Sequence, residues 1–263
     1  MSYVLQRLKV AEIARCISDI MPRDPNDATY DMIVSLDSKL ESLLQDLPDF
    51  FRIDIADSDE IGFVGQAHPY IPMQRLTVNL LINIVRCKLH FPYLSGNSNR
   101  SLHDFSRSAS LKAARNILSA HRVMSTSGIS HSADFMKIQG TIYHMFIGAL
   151  ILATDLCCNH PLGEDRERQS SELMAALKQL DDIKYHSQMA AKLLETLTQL
   201  LVKYGIWSPS TTVSTYAEGG FTADVDSFGQ YQIGVQDSDS FPFDELWETF
   251  MTQPLTLDLF DII

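Results

Sequence analysis

Apolar residues recur along most of this chain at helical spacing, not at the alternation of strands. Between residues 3 and 20, Leu5, Leu8, Ala11, Ile13 and Ile17 make one side of a helix, and Pro22 and Pro25 stop it. Asp27 is placed to cap a second helix with the apolar face Met32, Ile33, Leu36, Leu40, Leu43, Leu44 and Leu47, ended by Pro48. Residues 50–72 lose the period, and Gly62, Gly65, Pro69 and Pro72 punctuate what reads as an extended connection. A helix over 74–90 is apolar on most sides. The next, over 101–124, carries Ala109, Ala113, Ala114, Ile117 and Leu118, small residues that predict close packing against a neighbour. Residues 135–160 are apolar almost all the way round, which places that helix at the centre of the molecule. Two more helices follow over 170–180 and 184–204, with Asp181 and Asp182 at the break and Met189, Leu193, Leu194, Leu197, Leu200 and Leu201 on one side of the second. Residues 205–240 have no helical period and are rich in Gly, Ser, Thr and Asp, the pattern of a mobile loop or lid. Helical spacing returns in residues 241–252 with Phe243, Leu246, Trp247 and Phe250. No internal repeat and no strand-rich segment is visible. The expected fold is all-α: a helical-bundle body over 1–204, a loop or lid over 205–240, and an acidic-aromatic helix and tail over 241–263 docked on the body.

Two polar strips interrupt this apolar pattern. On the central helix, Lys137, Thr141, His144, Gly148 and Asp155 lie close to one line, with Ile151 in the same row. On the 74–90 helix, Arg75, Asn79, Asn83, Arg86 and His90 share a narrow sector, while Leu76, Val78, Leu80, Leu81, Ile82, Ile84, Val85 and Leu89 cover the rest. Buried polar groups must be satisfied by the protein or by something bound. Internal hydrogen bonds on the central helix and a solvated face on the other are the plainer accounts. The alternative is that the two strips face each other and enclose a pocket with basic and imidazole groups.

Charge narrows the functional classes. The chain of 263 residues has a formal net charge of −12, but residues 204–263 hold ten acids and no Lys, Arg or His, so the rest is close to neutral. No dense basic run exists, which argues against direct contact with nucleic acid. No uninterrupted apolar run of membrane-spanning length occurs, and the first twenty residues, with Glu12, Arg15 and Asp19, do not read as a secretory signal. The four cysteines Cys16, Cys87, Cys157 and Cys158 lack paired zinc-module spacing and read as reduced. A cytoplasmic protein without metal or other cofactor is expected, since no Gly-rich phosphate loop or metal-ligand cluster is legible.

Part of the chain resembles a known family. The helix RLTVNLLINIVRCKLH, the run Leu89-His90-Phe91-Pro92-Tyr93-Leu94 and the helix FSRSASLKAARNIL are similar to the regulatory, or middle homology, domain of fungal-specific transcription factors. The opening YVLQRLKVAEIARCISDIM and LDSKLESLLQDLPDFF resemble that family's preceding helices, so the likeness covers about 200 residues. Phe91 stands where the family has Arg, and Ser110 where Cys is common. The six-cysteine zinc cluster and basic linker of that family are not in this sequence, which leads us to expect a native short protein that does not bind DNA by itself. The resemblance implies a helical scaffold for a hydrophobic ligand.

Two functional expectations follow. The first is a cofactor-free enzyme of fungal secondary metabolism, a cyclase of hetero-Diels–Alder type; the scaffold is also similar to the hetero-Diels–Alderases of tropolonic sesquiterpenoid pathways, a likeness of scaffold and not of motif. A pocket that holds a reactive polyene in pose, with one acid or base to assist dehydration, would suffice. The candidate catalytic residues are His144, Asp155 and Lys137. The candidate substrate contacts are Arg86, His90, Asn79, Asn83, Thr141, Tyr143, Tyr204 and Trp207. The second expectation is a truncated regulator, nuclear in that case, that senses a hydrophobic metabolite or pairs with a full-length factor. The acidic-aromatic stretch over 241–263 favours it, because such alternation resembles an activation segment. The expected partner is a hydrophobic small molecule in either case, and a homodimer is left open.

Overall fold

The computed structural model describes residues 2–21, 27–53, 68, 70–94, 100–126 and 139–207. Lys137, most of the expected loop over 205–240 and the whole 241–263 segment lie outside the described residues. Those described form an all-α fold of seven α-helices: α1 (Ser2–Ile20), α2 (Tyr30–Gln45), α3 (Ile71–His90), α4 (Arg100–Thr126), α5 (Gln139–Cys158), α6 (Gly163–Ile183) and α7 (Gln188–Lys203). Short 3-10 turns at Asp49–Phe51 and Phe91–Tyr93 link them.

Helix α3 divides the interior. One of its faces (Val78, Leu81, Ile82, Val85, Leu89) packs with Val10, Ile33, Leu36, Leu40 and Phe51 of the N-terminal elements. The other (Leu76, Leu80, Ile84, Cys87) packs with α4 to α7. Helix α5 is the hub of that second core. Its residues from Met145 to Ala153 are buried throughout, as an all-round apolar helix requires. Helices α4 and α5 approach closely at Gly148, where an added Cβ would lie 2.9 Å from Leu118 Cγ and 3.3 Å from the Ala114 carbonyl oxygen. The small residues of α4 make this approach possible, with Ala113 and Ala114 buried against the neighbour.

The helix ends differ from the sequence expectations for local reasons. Pro72 sits inside the first turn of α3, where its missing N–H loses nothing, so it opens the helix instead of lying in an extended connection. Thr29, not Asp27, caps α2, its hydroxyl accepting from the Met32 amide at 3.2 Å. Asp181 and Asp182 lie within α6, and the break falls at 184–187, with Ser187 accepting from the Ala190 amide at 3.3 Å as the cap of α7. Gly205 (φ +65°) closes α7 in a Schellman turn, its amide donating to Val202 O at 3.0 Å and that of Ile206 to Leu201 O at 2.9 Å. Ile206 and Trp207 then pack on the core, so the body runs a little past residue 204. Helix α1 buries Gln6, Val10, Ala14 and Ile17 and leaves Leu5 and Leu8 more than half exposed, a face rotated from the expected one. The helix carries two apolar stripes, and the packed one contains the small Ala14.

Candidate functional site

The polar strips fold into three clusters, and they do not face each other. The α3 strip turns toward the N-terminal elements. Arg86 donates from Nε and Nη2 to the two carboxylate oxygens of Asp37, each at 2.6 Å, and from Nη1 to Glu41 at 2.9 Å. His90 is fully buried, with Nε2 3.0 Å from Asp37 Oδ1 and Nδ1 3.1 Å from Ser106 Oγ. Burial pushes Asp37 up, but the hydrogen bonds from His90 and Arg86 outweigh it and hold the carboxyl below its ordinary value. Burial keeps His90 below the usual imidazole range despite Asp37. A neutral His90 can therefore donate to Asp37 and accept from Ser106. Asn79 donates to the Phe51 and Arg75 carbonyls at 2.8 Å each, and Asn83 donates to the Asn79 carbonyl while accepting from Asn116. The strip is thus neither a solvated face nor a pocket wall. It is a buried brace that ties α3 to α2, α4 and the turn at Phe51.

The α5 stripe faces α4 instead of α3. At its C-terminal end, Asp155 is fully buried and grips Arg107 through both oxygens, Nη2 to Oδ2 at 3.0 Å. Asn159 and Gln169 donate to the same carboxylate at 2.8 and 3.0 Å. Burial raises the Asp155 carboxyl, and these three donors together hold it below its ordinary value. Asn159 also reaches the Leu94 carbonyl at 3.1 Å, so the knot joins α5 to α4, α6 and the turn after α3. Eleven helical residues separate Asp155 from His144, an axial distance of roughly 16 Å. The two candidates for the acid or base therefore stand in different clusters, and Asp155 is engaged by Arg107, Asn159 and Gln169. Thr141 lies on α5, with no side-chain geometry described, and Tyr204 and Trp207 stand at the end of α7 against the core.

The third cluster is formed by Lys88 of α3, His121 of α4, and Tyr143 and His144 of α5. The His121 and His144 ring centroids are 6.3 Å apart. Lys88 Nζ lies 5.9 Å from the Tyr143 ring centroid, within cation–π range, and Tyr143 stacks on Phe146. His121 has no exposed surface, and neither of its ring nitrogens has a hydrogen-bond partner among the described residues. Burial, and then the neighbouring imidazole, push His121 down to about 3; burial and the Lys88 charge push His144 down to about 4. Burial lowers Lys88 to about 8 and raises the Tyr143 hydroxyl. At neutral pH the cluster is one ammonium beside two neutral imidazoles. Sequence reasoning named Tyr143 and His144 but missed His121 and Lys88. A signal for His121 existed: it sits four residues after Ile117 and seven after Ala114, in a buried row where an imidazole needs a partner.

Comparison with known proteins gives this scaffold a context. The chain is 30% identical over 217 residues to the probable transcription factor lepB of Aspergillus flavus, covering 81% of this chain and 38% of that protein. It is 25% identical over 206 residues to the agnestins biosynthesis cluster transcription factor AgnL11 of Paecilomyces divaricatus, covering 76% of this chain and 28% of that protein. The chain is a relative of fungal transcription factors. The resemblance carried by the 74–114 segment therefore holds, over a span that reaches well beyond it. The chain spans 38% and 28% of the length of these two relatives. No family model matches the chain, and no solved structure matches it. No helix among the described residues is long and apolar enough to cross a membrane. Between the two functional expectations, the relatives' names favour the regulator over the cyclase.

Proposed function

We propose that this chain is an effector-sensing regulatory module that acts in transcription of secondary-metabolite genes, with the Lys88–His121–His144 cluster as the effector's seat. The observation that carries the reading is the kinship with two fungal transcription factors over about four fifths of the chain. The cluster adds a physical reason for sensing. The Asp37 and Asp155 knots are satisfied by the protein itself, whereas His121 brings into a packed core two nitrogens with no partner among the described residues. A regulator of this kind acts in the nucleus, and the lack of a dense basic run in these 263 residues favours contact with DNA through another segment or a partner.

Deletion of the gene, with transcripts and metabolites recorded together, tests the proposal. Transcripts of a set of biosynthetic genes fall together if the chain is a regulator. Unchanged transcripts with one accumulating intermediate would overturn it and restore the enzyme.

A further inference from the structure

Helix α1 packs with one stripe and leaves another bare. Gln6, Val10, Ala14 and Ile17 are buried against the N-terminal core. Val4, Leu5 and Leu8 lie within a sector of about 100° on the opposite side of the helix, each more than half exposed, and Ala11 of the same side is exposed as well. Single exposed apolar residues are ordinary, but three large ones in two turns of one helix make a patch, and a patch marks a contact. The charge around it selects the occupant. Residues 2–11 carry Arg7 and Lys9 and no acid, and acids begin only at Glu12, one turn past Leu8. Arg7 lies over the Tyr3 ring, 5.4 Å from its centroid, and Lys9 follows on the flank next to Leu5. A second copy of the chain would set these bases against their own kind. An acidic segment with an apolar stripe is the complement.

We infer that this α1 face seats the chain's own segment 241–252, FPFDELWETFMT. Phe243, Leu246, Trp247 and Phe250 recur there at helical spacing, and Asp244, Glu245 and Glu248 give the stretch three acids and no base. Laid along α1, the aromatic stripe covers Val4, Leu5 and Leu8, and Asp244 and Glu248, which border that stripe beside Trp247, meet the basic flank. The tether is long enough. Residues 208–240 separate Trp207, packed on the core, from Phe241. They span at most about 110 Å, whereas a globular body of this size is roughly 45 Å across, so every face is within range. Joined in one chain, the two elements meet at a high effective concentration. A patch of three side chains then suffices, although it is too small to hold a free protein partner.

The full chain carries the test. Amide exchange followed by mass spectrometry is expected to find residues 243–252 exchanging at least about tenfold more slowly than the same sequence as a free peptide. In Leu5→Asp/Leu8→Asp that difference disappears, while the amides of α3 keep their protection because both leucines lie outside the core. A benzophenone side chain placed at position 8 gives a second reading without added charge: irradiation joins it to residues 241–252 of the same chain, at unchanged monomer mass. A cross-linked product of twice that mass would give the face to a second copy and overturn the proposal. So would a cross-link elsewhere in the chain, free-peptide exchange of 243–252 in the wild type, or protection there that survives Leu5→Asp/Leu8→Asp.

Discussion

Asp155 shows how one side chain can look catalytic in a sequence and be structural in the fold. A lone carboxylate in the most apolar helix of a protein needs a partner, and it is natural to imagine that partner as a substrate. It is instead Arg107, with Gln169 and Asn159 completing the carboxylate's hydrogen bonds. Neutralising it exposes what the knot contributes. Asp155→Asn leaves Arg107 without its counter-charge, and breaking a fully buried pair costs about 3–5 kcal/mol. Arg107 retains 34% exposure, so water compensates part of the loss and the expected destabilisation is about 2 kcal/mol. Urea unfolding of the two proteins measures it. A change within the few tenths typical of an idle surface carboxylate would mean that Asp155 is free for another task. Asp37→Asn should cost more, about 3 kcal/mol or above, because Asp37 and Arg86 are both almost fully covered.

At the scale of whole helices, the periodic signal carried most of the architecture. Every long apolar-periodic stretch within the described residues became a helix, and residues 139–158 of the all-round apolar stretch became the buried hub α5. What the period could not give is which face meets which neighbour. The α3 strip and the α5 stripe were both legible as narrow and polar. Whether they meet depends on the crossing of α3, α4 and α5, and the complementary residues Asp37, Glu41, Arg107 and Gln169 lie on other helices, far away in sequence. Helix ends were misplaced because caps are decided by single hydrogen bonds, as at Thr29 and Ser187. Packing between elements is testable at Gly148. Alanine there gains up to about 1 kcal/mol of helix propensity but forces Leu118 and the Ala114 carbonyl away, a cost of about 1–3 kcal/mol. The expected net result is a loss of about 1 kcal/mol for Gly148→Ala and a larger loss for Gly148→Val, read as a falling thermal midpoint. At Gly205 the positive φ sets the cost instead: Gly205→Ala should lose about 1 kcal/mol although nothing crowds the site.

For the molecule as a whole, the buried titratable groups set a definite dependence of stability on pH. His121 and His144 are held neutral, with folded values of about 3 and 4 against an ordinary 6.5. Their pKa values are lower folded than unfolded. As pH falls below 6.5 the unfolded chain therefore takes up protons that the folded chain refuses, and stability declines. Each histidine contributes a slope of up to about 1.4 kcal/mol per pH unit over that window. Asp37 and Asp155, also lower when folded, add their loss only below about pH 4. On the alkaline side the signs divide. Lys88, folded at about 8 against 10.5, makes stability rise with pH over that range, while the buried thiols Cys87 and Cys157, raised when folded, make it fall as their unfolded counterparts ionise near 9. Stability should therefore climb from pH 4 to 6.5 and level off up to about 8. Unfolding free energies measured across that range in wild type and in His121→Phe give the test. The variant can be less stable at every pH because the substitution disturbs the core, and that offset does not matter. What the titration of His121 requires is a shallower slope between pH 4 and 6.5, by up to about 1.4 kcal/mol per unit, with an unchanged plateau shape above it. Parallel curves would show that His121 is not held neutral in the fold.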